Sequence, residues 1–290
     1  MEDVLCRYGD TPAGAYHENK KVYRGAENSP YFGNKRVNDI TAADIRQWQN
    51  ELIKIGYSPT YLKTINNQLS AIFNYAVRYY DLKSNPCVKA GSMGKSKAEE
   101  MDFWTGEEFR KFIDSVMNKR LSYMAFMTLY WTGMRMGELL ALNPKDIDLE
   151  KRTISITKSY QRLGKKDVIT PPKSKRVITI PEFLAADIKD YMDSLYDLQE
   201  NDRLFPITKY YLEHEMQRGI KESGVKRIRV HDLRHSHASM LIELGFSPLE
   251  IANRLGHEKV ETTLNTYAHL YPNKQTKLAE RLDSEYREDL

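Results

Sequence analysis

The sequence predicts a mainly α-helical protein with one small antiparallel β-sheet, divided into a helical unit and a larger α+β unit. Three observations lead there. Apolar residues recur at helical spacing between residues 45 and 77 and again from 109 onward. Two short segments, 153–158 (TISITK) and 176–180 (RVITI), alternate as strands do. Residues 89–100, KAGSMGKSKAEE, have the small and charged composition of a linker.

Taken in order, residues 1–34 are rich in Gly, Pro, Asn and Tyr without a clear period, and are expected to be a poorly ordered segment or the remnant of something longer. A helical unit is expected over 35–88. Thr41 can cap a helix carrying Ile45, Trp48, Leu52 and Ile55, which Gly56 ends. Ser58-Pro59 starts a second helix with the stripe Leu62, Ile65, Leu69, Ile72, Phe73, Ala76 and Val77, ending near Tyr80. That stripe reads as plain bundle core, which leaves Lys63 and Arg78 on the other face. A linker over 89–101 and a second unit over 102–290 follow. Thr105 and Glu108 form a capping box ahead of Phe109, Phe112, Ile113 and Val116. Another apolar helix runs through 121–130. The segment GKKDVITPPKSK, 164–175, reads as a third short strand with turns, and helices resume after Pro181. Residues 274–286, KQTKLAERLDSEY, read as a short amphipathic tail helix with Leu278 and Leu282 on one face.

The chain has 290 residues, 41% hydrophobic and 29% charged, as expected of a globular protein of about two domains. Its net charge is only +4, but residues 35–97 hold ten Lys or Arg against four Asp or Glu, a local +6. A basic unit joined to a near-neutral one points to a polyanion held mainly by the first, although a solvated basic face fits the charge as well. Cys6 and Cys87 lack metal-type spacing and read as free thiols of a reducing compartment. No apolar run reaches the roughly 18 residues that cross a bilayer, and the N-terminus lacks the apolar core of a signal peptide. A cytoplasmic protein with no membrane partner is expected.

Four segments can carry chemistry. In Thr132-Gly133-Met134-Arg135-Met136-Gly137-Glu138 a Gly-flanked arginine opens an apolar helix, which suits an anion but equally a structural ion pair. In His231-Asp232-Leu233-Arg234-His235-Ser236-His237, His231 and Arg234 share a helical face, so one can move a proton while the other neutralises charge. Three histidines in this run also invite a metal, but HExxH is absent and no cysteine is near. Leu255-Gly256-His257 follows a helix signalled by Ser247, Pro248 and Glu250, and should fix His257 on a turn; a plain C-cap histidine is the bland alternative. Tyr267 lies in TLNTYAH, and one tyrosine among 19 says nothing alone.

Together and in this order, TGMRMGE, HDLRH, LGH and a tyrosine ten residues after His257 resemble the tyrosine recombinases, including phage and conjugative-transposon integrases. The resemblance runs from about residue 36 to 285, and YFGNKRVNDITAADI looks like the start of that family's core-DNA-binding region. It implies a core-binding domain at 35–88 and a catalytic domain at 102–290. It implies a site-specific recombinase that cleaves and rejoins DNA through a 3′-phosphotyrosine intermediate, integrating or excising a mobile element. Tyr267 would be the nucleophile, with Arg135 and Arg234 on the non-bridging oxygens and His231 and His257 assisting proton transfer. Lys173 would be the hairpin lysine that protonates the leaving oxygen, with Lys175 as a rival position. Glu138 would orient the site. Lys35, Arg36, Lys63, Arg78, Lys95 and Lys97 are the candidate DNA contacts. No metal or other cofactor is implied. The partners are double-stranded DNA, three further protomers in a tetramer on paired sites from a monomer off DNA, and an accessory DNA-bending or directionality factor. The place is the bacterial cytosol or nucleoid. The arm-binding domain of many integrases would be absent, truncated or removed. A type IB topoisomerase-like relaxing enzyme and a catalytically silent DNA-binding relative remain as alternatives.

Chemistry supports this constellation. Phosphodiester exchange builds negative charge on the phosphoryl oxygens, and fixed cationic donors suit it. A phenol with a pKa near 10 needs help to lose its proton.

Overall fold

The computed structural model describes Phe32 and residues 35–95, 102–163 and 166–271. The expected tail helix at 274–286, Lys97, and nearly all of the N-terminal segment lie outside them. The chain divides by its contacts between residues 100 and 101.

In the first unit, α1 (Ala42–Ile55) starts at Thr41, whose hydroxyl accepts from the Asp44 N–H while the Asp44 carboxylate accepts from the Thr41 N–H. Gly56, at φ +83°, closes it. Helix α2 (Pro59–Tyr79) opens on Ser58. A short α3 (Pro86–Ala90), capped by Asn85, was not expected. Ile45, Trp48, Leu62, Ile65, Leu69 and Phe73 form the core with Cys87, Ala90 and Met93. Ala90 and Met93 belong to the stretch whose composition reads as linker, so the first unit's core runs past residue 89. Ile55 and Val77, read as part of the apolar stripes, are exposed at the helix ends. Buried Gln49 is satisfied by the Asn66 side chain and the Gly91 carbonyl, each at 2.8 Å.

The second unit begins with α4 (Gly106–Val116), capped reciprocally by Thr105 and Glu108, and α5 (Arg120–Thr132). Phe112, Phe126 and Trp104 pack edge-on or tilted, and Phe109 stacks on Tyr130. After Gly133 comes a single turn, α6 (Met136–Leu139). Strands β1 (Ile147–Asp148), β2 (Thr153–Ile156) and β5 (Arg176–Thr179) form an antiparallel sheet in the order β1-β2-β5, with Ile154 facing Ile178 across the ladder.

The segment between β2 and β5 holds two strands where one was expected. β3 (Ser159–Leu163) and β4 (Lys166–Thr170) pair with each other as a separate hairpin. Helices α7 (Glu182–Asp193) and α8 (Lys209–Ser223) complete the main core. Then come α9 (Leu233–Glu243), α10 (Pro248–Leu255) and α11 (Val260–Tyr267). Their apolar faces make a second cluster, in which Ala238, Leu241, Ile242, Ile251 and Leu255 surround the Tyr267 ring. The architecture is mainly helical with small antiparallel sheets, as the sequence indicates.

Candidate active site

The Gly133–Glu138 segment sets the first corner. Gly133 ends α5 at φ +64°, and a Cβ there would lie 2.6 Å from the His237 ring and 2.7 Å from Leu255. Only a glycine lets this turn lie so close to α9 and α10. The turn delivers Arg135 to the N-cap of α6, where its N–H and guanidinium both donate to Glu138, at 2.9 and 3.0 Å. Gly137 lies against β3, where a Cβ would meet the Ser159 hydroxyl at 2.7 Å.

Glu138 is buried and holds a second cation. Arg176 of β5 donates to its two oxygens at 2.8 and 3.2 Å, and to the Arg254 carbonyl at 2.9 Å. Burial opposes the Glu138 charge, but Arg176 and Arg135 outweigh it and hold the carboxyl below the usual range. Sequence reading passed over Arg176, the first residue of the alternating segment 176–180.

Arg234, on the first turn of α9, is buried, and among the described residues no carboxylate pairs with its guanidinium. It donates instead to the Gly133 carbonyl at 2.8 Å and the Leu255 carbonyl at 2.7 Å. Burial, reinforced by Arg135 and Arg176, pulls its pKa down to about 9. Two guanidiniums thus pair with the Glu138 carboxylate, and the third, Arg234, lies within electrostatic reach of all three groups. The surplus positive charge in a partly dehydrated place favours an entering anion.

The histidines take separate places. His231 lies on the 3-10 turn Val230–Asp232 with an exposed edge, and crowding by the protein together with Arg234 lowers its pKa. His257 follows Gly256, which adopts φ +69° with Arg176 packed where a Cβ would stand. Its N–H donates to Ala252, and Nδ1 meets the Thr263 hydroxyl at 2.8 Å. Burial and then Arg234 lower the His257 pKa to about 4. His237 is fully buried and accepts from Arg254 at 2.9 Å. Arg254, also passed over in the sequence, ties α10 to the carbonyls of Thr179 and Trp131. His231 and His235 stand edge-on while the His237 ring bonds Arg254 instead, and among the described residues no group of three or more His, Cys, Asp or Glu is placed to hold a metal ion.

Tyr267 closes the site from the end of α11. Its hydroxyl meets His235 Nδ1 at 2.5 Å, and the residue is only 2% exposed. Burial raises its pKa, and the Arg234 charge opposes that rise. His235 is the further site residue that sequence reading quoted within a motif without giving it a role there.

Lys173 and Lys175 flank Ser174 between β4 and β5, near Gly256. Both are exposed, and neither forms an ion pair or hydrogen bond among the described residues. Of the candidate DNA contacts in the first unit, Lys35 pairs with Asp44 at 2.6 Å, and Lys63 donates to Ser92 at 2.6 Å. Arg78 lies over the Tyr79 ring, and Arg36 and Lys95 are exposed.

Residues 103–274 match the phage integrase family, and residues 19–53 match the phage integrase N-terminal SAM-like domain. The chain belongs to the phage integrase family. It is 34% identical to the ICEBs1 integrase of Bacillus subtilis (strain 168), over 92% of this chain and 77% of that protein. It is 27% identical to a XerC-like tyrosine recombinase of Caldanaerobacter subterraneus subsp. tengcongensis, over 89% and 74% of the two chains. In fold it is similar to the Tn1549 transposon integrase solved with transposon right end DNA, at a TM-score of 0.81, 19% identity and coverage of 99% and 98%. A lambda integrase dimer bound to a COC′ core site gives a TM-score of 0.68 at 18% identity, covering 90% of this chain and 96% of that one. This phage integrase family member is a site-specific DNA recombinase of the tyrosine type. No helix among its described residues is long and apolar enough to cross a membrane.

Proposed function

We propose that this recombinase cleaves and rejoins DNA through a 3′-phosphotyrosine bond on Tyr267, to integrate or excise a mobile element. The observation that carries this reading is Arg135 and Arg176 paired on the buried Glu138 carboxylate, with Arg234 close enough to feel both arginines, Glu138 and Tyr267. Arg135 and Arg234 bind the non-bridging oxygens of the scissile phosphate, where charge grows in the transition state. Glu138 fixes Arg135. His231 and His257 donate hydrogen bonds and move protons, and Lys173 protonates the leaving 5′-oxygen. The covalent bond conserves the phosphodiester for rejoining, so the cycle needs no nucleotide or metal.

Lys35, Arg36, Lys63, Arg78, Lys95 and Lys97 contact the duplex backbone, holding register without reading bases. Four protomers assemble on two paired duplexes from monomers, with the tail at 274–286 docking in trans and an accessory bending or directionality factor setting direction. The reaction takes place in the bacterial cytoplasm, on the nucleoid. The test is to trap the protein on a nicked suicide duplex and map the DNA-bearing peptide. Attachment at Tyr267 is expected. Attachment elsewhere, or none, overturns the reading.

A further inference from the structure

We propose that His235 is the base that takes the proton of Tyr267 as the phosphotyrosine bond forms, and the acid that returns it when the strand is rejoined. The proposal rests on Tyr267 being the nucleophile. Among the described residues, His235 Nδ1 is the partner hydrogen-bonded to that hydroxyl, at 2.5 Å. His257 has its own Nδ1 engaged by Thr263. The His231 ring stands edge-on to His235, with centroids 5.6 Å apart, and the His235 ring is itself tilted against Tyr267 at 5.6 Å.

The groups facing His235 make it a neutral acceptor. They are His231, Asp232 and Arg229 on the preceding turn, Arg234 on its own helix, and Tyr267 on α11. Burial first, and then His231, lower its pKa to about 4, so the ring is uncharged at neutral pH. In the tautomer protonated at Nε2, Nδ1 offers a lone pair to the phenol. A scissile phosphate entering beside Arg234 and Arg135 would offset the charges that now oppose protonation of this ring. The base therefore strengthens when substrate is in place, which suits proton transfer at that moment.

The step balances. The Oη–H proton passes to Nδ1, the Oη–P bond forms, and the P–O5′ bond breaks, with its oxygen protonated by the lysine assigned above. In rejoining, the 5′-hydroxyl gives its proton back to that lysine as it attacks phosphorus, the Oη–P bond breaks, and the imidazolium returns its proton to Oη.

His235→Asn and His235→Gln keep a hydrogen-bonding amide but cannot carry the proton. Two single-turnover rates are compared for each. One is adduct formation on a nicked suicide duplex. The other is sealing of a strand bearing a 3′-p-nitrophenyl phosphate by a 5′-hydroxyl strand, in which nitrophenolate leaves without needing a proton. Their ratio cancels any loss of folded protein. The expected result is adduct formation slowed by about 10²-fold or more with sealing preserved, the scale of a lost general base. Adduct formation at the wild-type rate, or equal losses in both reactions, overturns the proposal. If the wild type forms no adduct through Tyr267, the underlying reading fails instead.

Discussion

Arg234 donates to the carbonyl of Gly133 at 2.8 Å, joining the TGMR turn to the HDLRH helix across 101 residues of sequence. Its other amino group holds the carbonyl of Leu255, the first residue of LGH, at 2.7 Å. One guanidinium thus ties three motifs together, and among the described residues no carboxylate pairs with it.

Replacing that group should therefore do double damage. Arg135→Ala and Arg234→Ala are each expected to lower the rate of adduct formation by about 10²–10³, the range for one preorganised donor. Arg234→Lys should be nearly as poor, because an ammonium cannot span both carbonyls and a phosphate oxygen. Single-turnover cleavage of a suicide duplex measures this. Near-normal rates in the lysine variants would remove the phosphate-clamp role.

Tyr267→Phe should abolish the covalent adduct and leave duplex binding close to wild type. The ring stays in its apolar cluster, and only the hydroxyl bonded to His235 is lost. Gel shift and denaturing electrophoresis on the same sample give both readouts. A surviving adduct would move the nucleophile to another residue.

The two exposed lysines between β4 and β5 can be told apart by chemistry. Lys173→Ala should slow cleavage of an ordinary duplex but be rescued by a 5′-phosphorothiolate, whose sulfur leaves without a proton. Lys175→Ala should do neither. Rescue of Lys175→Ala in place of Lys173→Ala would exchange the assignment.

Gly133→Ala should cost more than Gly224→Ala. Both glycines sit at positive φ, +64° and +70°, but only at Gly133 would the new methyl meet His237 and Leu255. A left-handed backbone alone costs about 1–3 kcal/mol for a residue with a side chain. The clash adds to this at Gly133, where the shift also moves the carbonyl that holds Arg234. Urea unfolding of both variants gives the comparison, and equal losses would mean the close approach does not matter.

Stability should fall as the solution is acidified below about pH 6.5, the unperturbed histidine value. Folded His235, His237 and His257 titrate near 4, 3 and 4, so they stay neutral while the unfolded chain takes up protons. Their contribution is complete above the unfolded pKa and is lost as pH falls toward the folded values, with a slope of up to about 1.4 kcal/mol per pH unit for each ring. Thermal unfolding between pH 7.5 and 4.5 tests this. A flat profile would show that the rings are protonated in the folded state.

Much of this molecule was legible because its signals are local. Thr41, Ser58, Thr105 and Ser247 each cap the helix that spacing suggests, and the alternating isoleucines of β2 and β5 pair as their pattern implies. The β3–β4 hairpin was half missed because its strands are mostly polar, with Tyr160 buried but Ile169 half-exposed. Helix α3 is five residues long, too short to show a period. Motif letters marked Arg135, Arg234, His257 and Tyr267. Arg176 and His235 acquire partners only when segments 38 and 32 residues away fold against them, and no local pattern carries that.

The ring of Tyr267 is packed by residues of α9 and α10, and every arginine in the site precedes it along the chain. During translation the arginines of the site therefore leave the ribosome first and the Tyr267 hydroxyl last. On the proposed assignment, a message cut short before codon 267 yields a chain that lacks both the nucleophile and the ring that fills this cluster.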